Sequence, residues 1–262
     1  MRSGDLPEKE NGAGPRLGFC ARHLWLERNL LVVTGDLGAL IAGKRAYDAR
    51  HGISVDTTAD GRALDRLMAA AALAAVSLAE RESWGWTMTA AGAGHGLFCA
   101  AEPEGLICGT SRVAEPDRSI AYLQRKKGGG PLVESRFVPV SGDPAASVQR
   151  YFEQVEQIET RLAVSESFLG ALVQAMPGGA LSELAAMGDE ELLTELHAVA
   201  ASESRARHLD DVVVFYECRC DETVIRKMLE GLPDASRREL WADQDELRVT
   251  CPRCGREFAI PR

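Results

Sequence analysis

The sequence predicts an α+β core followed by a small, metal-dependent C-terminal unit. Three observations carry this reading. Short apolar runs bounded by Gly or Pro recur through the first two thirds of the chain and read as antiparallel strands. Two strongly helical stretches, around residues 63–80 and 144–162, lie among them. Four of the seven cysteines fall in the last forty-five residues as two close pairs, Cys218/Cys220 and Cys251/Cys254.

Residues 1–16 are Gly, Pro and charge, and are expected to be a disordered lead. The text HLWLERNLLVVT, ending at Thr34, reads as one strand; DLGALIAGKRAYDARHG after it reads as a strand end and a short helix. Ala63–Glu80 is rich in Ala and Leu, with no Gly or Pro, and so predicts a helix. It is apolar almost all round, so it should be buried on more than one side. WGWTMTA, GLFCAAE, GLICGTSR and, after three glycines, PLVESRFVPV read as strands of one sheet. Trp84 and Trp86 on the first of these are read as one core residue and one rim residue. GAGHG, with Gly92, Gly94 and Gly96, lacks the spacing of a phosphate loop and reads as a hairpin turn.

Pro144–Leu162 predicts an amphipathic helix, with Val148, Tyr151, Phe152 and Val155 at helical spacing. AVSESFLGALVQAMPGG then reads as strand, ending in a Pro-Gly-Gly break. From Ala180 to Asp211 the text is helical and charged. Asp189 is placed to cap a helix carrying Leu192, Leu193 and Leu196 on one face. With few large apolar residues and no aromatics, these helices need a surface to dock on. The tail reads strand, Cys pair, helix, a second helix opening at Pro-Asp, and a hairpin with the second Cys pair. The expected organisation is a core over 17–179, a marginally stable helical linker over 180–211 and a small unit over 212–262.

The 262 residues are 45% hydrophobic and 26% charged, enough to bury a real core. A net charge of −9 argues against a general phosphate-backbone binder. The longest nearly uncharged apolar run, Leu67–Ala79, is shorter than the ~20 residues that span a bilayer. The N-terminal text has no apolar signal region. The expectation is a soluble, cytoplasmic protein without a membrane or specific nucleic-acid partner. No Walker A, G-x-S-x-G, H-x-E or H-E-x-x-H motif occurs, and a non-enzyme is expected. In a reducing compartment, cysteines more often bind metal or do redox chemistry than staple a fold. Cys20, Cys99 and Cys108, scattered through the first half, read as small buried apolar residues.

Cys218-Arg219-Cys220, thirty intervening residues, then Cys251-Pro252-Arg253-Cys254 would give four thiolates. Four thiolates in two pairs suit one tetrahedral zinc, with Zn–S bonds of ~2.3 Å. Gly255 after the second pair fits a knuckle turn whose backbone N–H groups point at sulfur. Arg219, Arg226, Arg253 and Arg256 are expected to add positive charge that favours thiolate. Fifty residues make a poor core, and a metal is the usual remedy. From spacing alone, two roles remain open: a purely structural zinc, or a zinc that oxidation expels. Losing it would remove about 10 kcal/mol or more of folding free energy. A zinc-ribbon binding module and a thiol–disulfide oxidoreductase are the competing classes. The second lacks a thioredoxin-like βαβ setting.

The C-x-C, spacer and C-x-x-C arrangement resembles the heat shock protein 33 family of redox-regulated chaperones. So do FYECRCDE, KMLEGLPD and TCPRCGREFAI around it, and the blocks SVQRYFEQVEQIETRL and ALVQAMPGG. The resemblance implies a two-layer antiparallel sheet-and-helix core, a metastable helical linker and a zinc-binding redox-switch domain. It implies Cys218, Cys220, Cys251 and Cys254 as zinc ligands, and Cys218–Cys220 and Cys251–Cys254 disulfides on oxidation. Zinc would leave, the tail and linker would unfold, and exposed apolar surface would hold unfolding client proteins without ATP. The reduced form would be a monomer and the oxidised form a homodimer. Three core cysteines, a short stretch between Leu162 and Phe168, and the first sixteen residues depart from the family pattern.

Overall fold

A computed structural model describes residues 16–54, 59–78, 82–89, 94–114, 118–242 and 244–262. The expected lead therefore lies outside the described residues, apart from Arg16. So do Gly92 and the end of the helix read to Glu80.

The first apolar run is a hairpin rather than one strand. β1 (Leu17–Trp25) and β2 (Leu30–Asp36) pair antiparallel across the turn at 26–29. The polar insertion Glu27-Arg28-Asn29 makes the turn, with Asn29 at φ 52°. α1 (Gly38–Arg50) and α2 (Ala59–Ser77) follow. Residues Leu67 to Ala74 of α2 are all fully buried, as its all-round apolar text requires.

β3 (Ser83–Thr89), β4 (His95–Ala101) and β5 (Leu106–Val113) form a meander. β6 (Ile120–Lys126), which the sequence reading passes over, pairs with β3, and β7 (Val133–Phe137) pairs with β6. The rim assignment within Trp84/Trp86 is overturned. Residues two apart on a strand share a face, and both rings are buried, in an aromatic cluster with Phe137, Tyr151 and Phe152.

The helix expected over Pro144–Leu162 is shorter. α3 (Pro144–Tyr151) is capped by the Asp143 carboxylate, which accepts from the backbone N–H groups of Ala145 and Ala146 at 3.0 and 3.1 Å. It runs into a π-helical turn, Phe152–Glu156, and stops at Gln157 with φ 58°. The next residues are β8 (Thr160–Val164), because they pair along β9 (Leu169–Ala175).

After a 3-10 turn at Ser182–Ala185 comes α4 (Asp189–Ala200). Gly188, not Asp189, is its N-cap; the Asp189 carboxylate instead accepts from Arg161 at 3.3 Å. Helical text was expected to continue to Asp211. Instead β10 (Ala206–Tyr216) begins six residues earlier, so the boundary between 211 and 212 falls inside one strand.

One ten-stranded sheet has the order β7-β6-β3-β4-β5-β10-β1-β2-β9-β8. Every neighbouring pair is antiparallel except β5 and β10, which join the two halves in parallel. That join has a close backbone approach. Gly105, at φ 87°, has no Cβ, and one would stand 2.1 Å from the Val213 carbonyl oxygen. α1, α2 and α3 cover one face through Leu40, Ile41, Leu67, Leu73 and Val148. α4 covers the other face at one end, burying Leu192, Leu193, Leu196 and Val199 over Trp25, Leu30, Val32, Ala171 and Val173. Strand alternation divides the sheet between the layers: Leu172 packs with the first cluster, its neighbours Ala171 and Val173 with the second. Among the described residues no helix is long and apolar enough to cross a membrane.

The tail continues from β10 with α5 (Glu222–Glu230), α6 (Asp234–Trp241) and the hairpin β11 (Glu246–Thr250) and β12 (Glu257–Pro261). It has no separate core. Cys218, Ile225, Trp241, Cys251, Cys254, Phe258 and Ile260 join the main cluster with Tyr47 and Tyr216.

Candidate metal centre

Two loops bring four sulfurs together. Cys218 and Cys220 lie just beyond β10, before α5, whose first turn is capped by the Asp221 carboxylate accepting from the Val224 N–H at 2.7 Å. Cys251 and Cys254 occupy the tip of the β11–β12 hairpin. There the Cys251 N–H donates to the Arg256 carbonyl at 2.8 Å and the Gly255 N–H to the Cys251 carbonyl at 3.0 Å. The Arg253 N–H points at Cys251 Sγ, 3.5 Å away, which is the knuckle geometry expected of C-x-x-C-Gly. Gly255 closes the turn at φ 83°, a conformation that favours glycine.

The four sulfurs all lie within 4.8 Å of one another, with Cys218–Cys251 at 3.9 Å and Cys220–Cys254 at 3.4 Å. A tetrahedron with ~2.3 Å metal–sulfur bonds has edges of about 3.8 Å. The donor set therefore fits one thiophilic ion. Cys218, Cys251 and Cys254 are buried and Cys220 is half-buried. Four protonated thiols at this spacing must share hydrogen bonds. Contact with Cys218, and then with Cys220, holds the Cys251 thiol well below the usual range and brings Cys254 down to about 7. Cys218 and Cys220 are pushed the other way, so thiolate character, the form a metal binds, rests on Cys251 and Cys254.

The core supplies the walls. Tyr47, from α1, places its hydroxyl 3.5 Å from Cys254 Sγ and 3.8 Å from Cys220 Sγ. Burial, followed by its bonds to those sulfurs, pushes the phenol's pKa up, so the hydroxyl stays a donor. The arginines act differently from expectation. Arg219 pairs with Glu102 at 3.3 Å and Glu104 at 2.9 Å, Arg253 with Glu102, and Arg226 with Glu222 at 2.7 Å. Arg256 lies over the Phe258 ring. Arg219 and Arg253 fasten the two cysteine loops to the β4–β5 turn, so carboxylates take up most of the charge expected to serve the thiols.

Sequence reasoning placed the four tail cysteines and missed Tyr47 and Glu102. Neither carries a local signal, because each meets the cluster only through the fold. Cys20, Cys99 and Cys108 are buried, as read. An interaction with Cys218 nevertheless lowers the Cys108 pKa, against the effect of its burial.

A family model described as Hsp33 protein matches residues 45–261. The chain belongs to the Hsp33 family. It is 26% identical over 158 residues to the 33 kDa chaperonin of Methylobacillus flagellatus, a match covering 53% of each chain. The chain thus spans about half the length of that curated relative. Its fold matches the crystal structure of the 33 kDa chaperonin of Thermotoga maritima, with a TM-score of 0.66, 16% identity and 94% of each chain covered. The Hsp33 family is a chaperone family, and the four-cysteine cluster fits a metal-binding redox switch within it.

Proposed function

We propose that this Hsp33-family chain is a redox-regulated, ATP-independent holdase chaperone with no enzymatic activity. The convergence of four thiols around one point, in a tail without its own core, carries this reading. Cys218, Cys220, Cys251 and Cys254 hold one zinc ion in the reduced state, and the zinc supplies the cross-link that orders the tail. On oxidation Cys218 pairs with Cys220 and Cys251 with Cys254. Each pair is close in sequence, so either disulfide forms without drawing distant segments together.

Residues 17–179 act as the core, 180–211 as a metastable linker and 212–262 as the switch, with β10 shared between the last two. Zinc release loosens the tail and then the linker. Undocking α4 uncovers Trp25, Leu30, Val32, Ala171 and Val173, a continuous apolar sheet face. Such a surface suits unfolded or partly unfolded proteins, whose exposed apolar side chains it takes out of water. The reduced form works as a monomer in the cytoplasm and the oxidised form as a homodimer.

A titration of the zinc-loaded, reduced protein with hydrogen peroxide tests this. Released zinc is read with a chromophoric chelator, and suppression of client aggregation on the same samples. The two should rise together and reverse with a thiol reductant. Zinc that stays bound, or leaves without any gain in holding, would make the metal purely structural.

A further inference from the structure

β7 is the last strand in the sheet order, and among the described residues no strand pairs on its outer side. The backbone N–H and C=O groups of such an edge offer a ladder to another chain. Natural edges are often blunted by a lysine, a bulge or an inward charge. β7 reads VESRF, with no lysine, and pairs along β6 without a bulge. Phe137 is buried with Trp86 and Tyr151, so Val133 and Ser135 face the helix layer with it, and the charged Glu134 and Arg136 face away. Leu132 and Val138, flanking the strand, are 60% and 61% exposed.

Residues 131–139 read PLVESRFVP, which repeats its residue classes in reverse order about Ser135. Proline stands at Pro131 and Pro139, an aliphatic residue at Leu132 and Val138, an apolar one at Val133 and Phe137, and opposite charges at Glu134 and Arg136. Antiparallel strands oppose residues whose numbers have a constant sum. A second copy paired about Ser135 therefore sets Glu134 opposite the partner's Arg136, and Leu132 opposite the partner's Val138. Both are favourable cross-strand pairs.

We propose that β7 is a self-association edge, to which a second copy of this chain adds its own β7, antiparallel and centred on Ser135. The interface is isologous, with one two-fold axis through the paired Ser135 residues, perpendicular to the sheet. That axis keeps both helix layers on the same side and joins two ten-stranded sheets into one. Within one chain Glu134 already accepts from Arg136 and from Gln124, at 3.0 Å each, and Arg136 lies over the Tyr122 ring. Each carboxylate oxygen has a second lone pair and the guanidinium has five N–H groups, so the cross-strand contacts add to these. The four charges then alternate in sign around the axis. The prolines lack an N–H and close the ladder at both ends. A ladder of seven residues a side, 132–138, falls short of the ~1,000 Å² that a stable interface buries. Pairing is therefore weak and depends on concentration, and the dilute reduced chain stays a monomer. The proposal goes beyond the redox reading and does not rest on it, since β7 carries no cysteine and lies five places from β10 in the sheet.

The test is sedimentation equilibrium of the full, zinc-loaded chain under reducing conditions, from ~1 µM to ~1 mM. The average mass should rise from the 28.3 kDa of one chain toward twice that value. Glu134→Arg makes both edge charges positive, and Arg136→Glu makes both negative. Each variant alone should raise the dimer dissociation constant about tenfold or more, because like charges then stand directly opposite. An equimolar mixture of the two should associate as the natural chain does, since each positive edge meets a negative one. The double variant, Glu134→Arg with Arg136→Glu, should likewise regain pairing. Thermal melting of each variant checks that these exposed substitutions leave the fold intact. A natural chain that stays monomeric across the whole range would overturn the proposal and leave the edge to an extended strand of another protein. Association that neither single variant weakens would also overturn it, by placing the interface elsewhere. Weakening that mixing does not rescue would overturn the pairing about Ser135. Zinc that oxidation fails to release would overturn the redox reading and leave this result standing.

Discussion

Tyr47 is the side chain through which the core touches the sulfur cluster with a hydrogen-bond donor. Its ring packs on Tyr216 at 5.1 Å and His51 at 4.4 Å, so Tyr47→Phe keeps the packing and removes only the hydroxyl. A donor to a ligating thiolate orients it, and losing such a partner typically weakens metal binding about 10–100-fold. Competition with a chelator should show zinc held about tenfold or more weakly in Tyr47→Phe, with little change in the melting of the core. Arg161 does comparable work for the linker. From β8 it donates to the carbonyls of Leu184, Ala185 and Met187 at 3.3, 2.6 and 3.0 Å, and to the Asp189 carboxylate at 3.3 Å. Arg161→Ala strands carbonyls at the end of the 3-10 turn and should weaken docking by about 1–3 kcal/mol. Hydrogen exchange should show faster opening of residues 182–200 and an unchanged β3–β4–β5 meander. Neither residue was legible in the sequence. An arginine in ETRLAV and a tyrosine in RAYDAR look like ordinary surface and core residues until the fold gives them partners.

α4 is a helix whose apolar stripe has a partner but little to spare. Its four buried side chains are aliphatic and lie over one end of the sheet. It also carries a titratable contact, His197, whose Nε2 lies 3.2 Å from the Gly170 carbonyl oxygen, so that Nε2 carries the proton of the neutral ring. Burial lowers the His197 pKa below 6.5, opposed in part by that bond and by Asp36. Because the docked form binds the second proton less readily, this stabilisation is present above pH 6.5 and is lost as pH falls through the docked-state pKa. Hydrogen exchange of α4 should therefore be faster at pH 5.5 than at pH 7.5, beyond the intrinsic pH effect. His197→Gln, which can still donate to Gly170, should flatten that difference. The stripe itself was readable, since Leu192, Leu193 and Leu196 stand at helical spacing. Its end was not: ARHLDD has helix-compatible text, and pairing with β1 makes it strand.

The whole molecule couples these parts through one strand. β10 pairs with β1 along its length, meets β5 at its end, receives α4 before it and delivers Cys218 after it. The tail shares the main apolar cluster, and its own helices are short. Removing the metal from the reduced protein with a strong chelator should unfold the tail and spare the sheet. Limited proteolysis with trypsin should then cut first at Arg226, Arg237 or Arg253. Survival of all three sites after complete metal removal would show that packing against the core holds the tail without metal.

The four cysteines that converge, the knuckle glycine, the apolar helix at α2 and the need of the 180–211 segment for a docking surface were all readable locally. Each depends on spacing or composition within a few residues. Other features depended on partners far along the chain. Thr160–Val164 became strand because β9 pairs with it, and Ala206–Asp211 because β1 does. Trp84 and Trp86 both turned inward because α3 and β7 closed over that face. Ligand spacing is a property of adjacent residues, so a thiol pair announces itself in the text. A hydrogen-bond donor from α1 is brought to the site by closing long loops, and no local pattern encodes that closure.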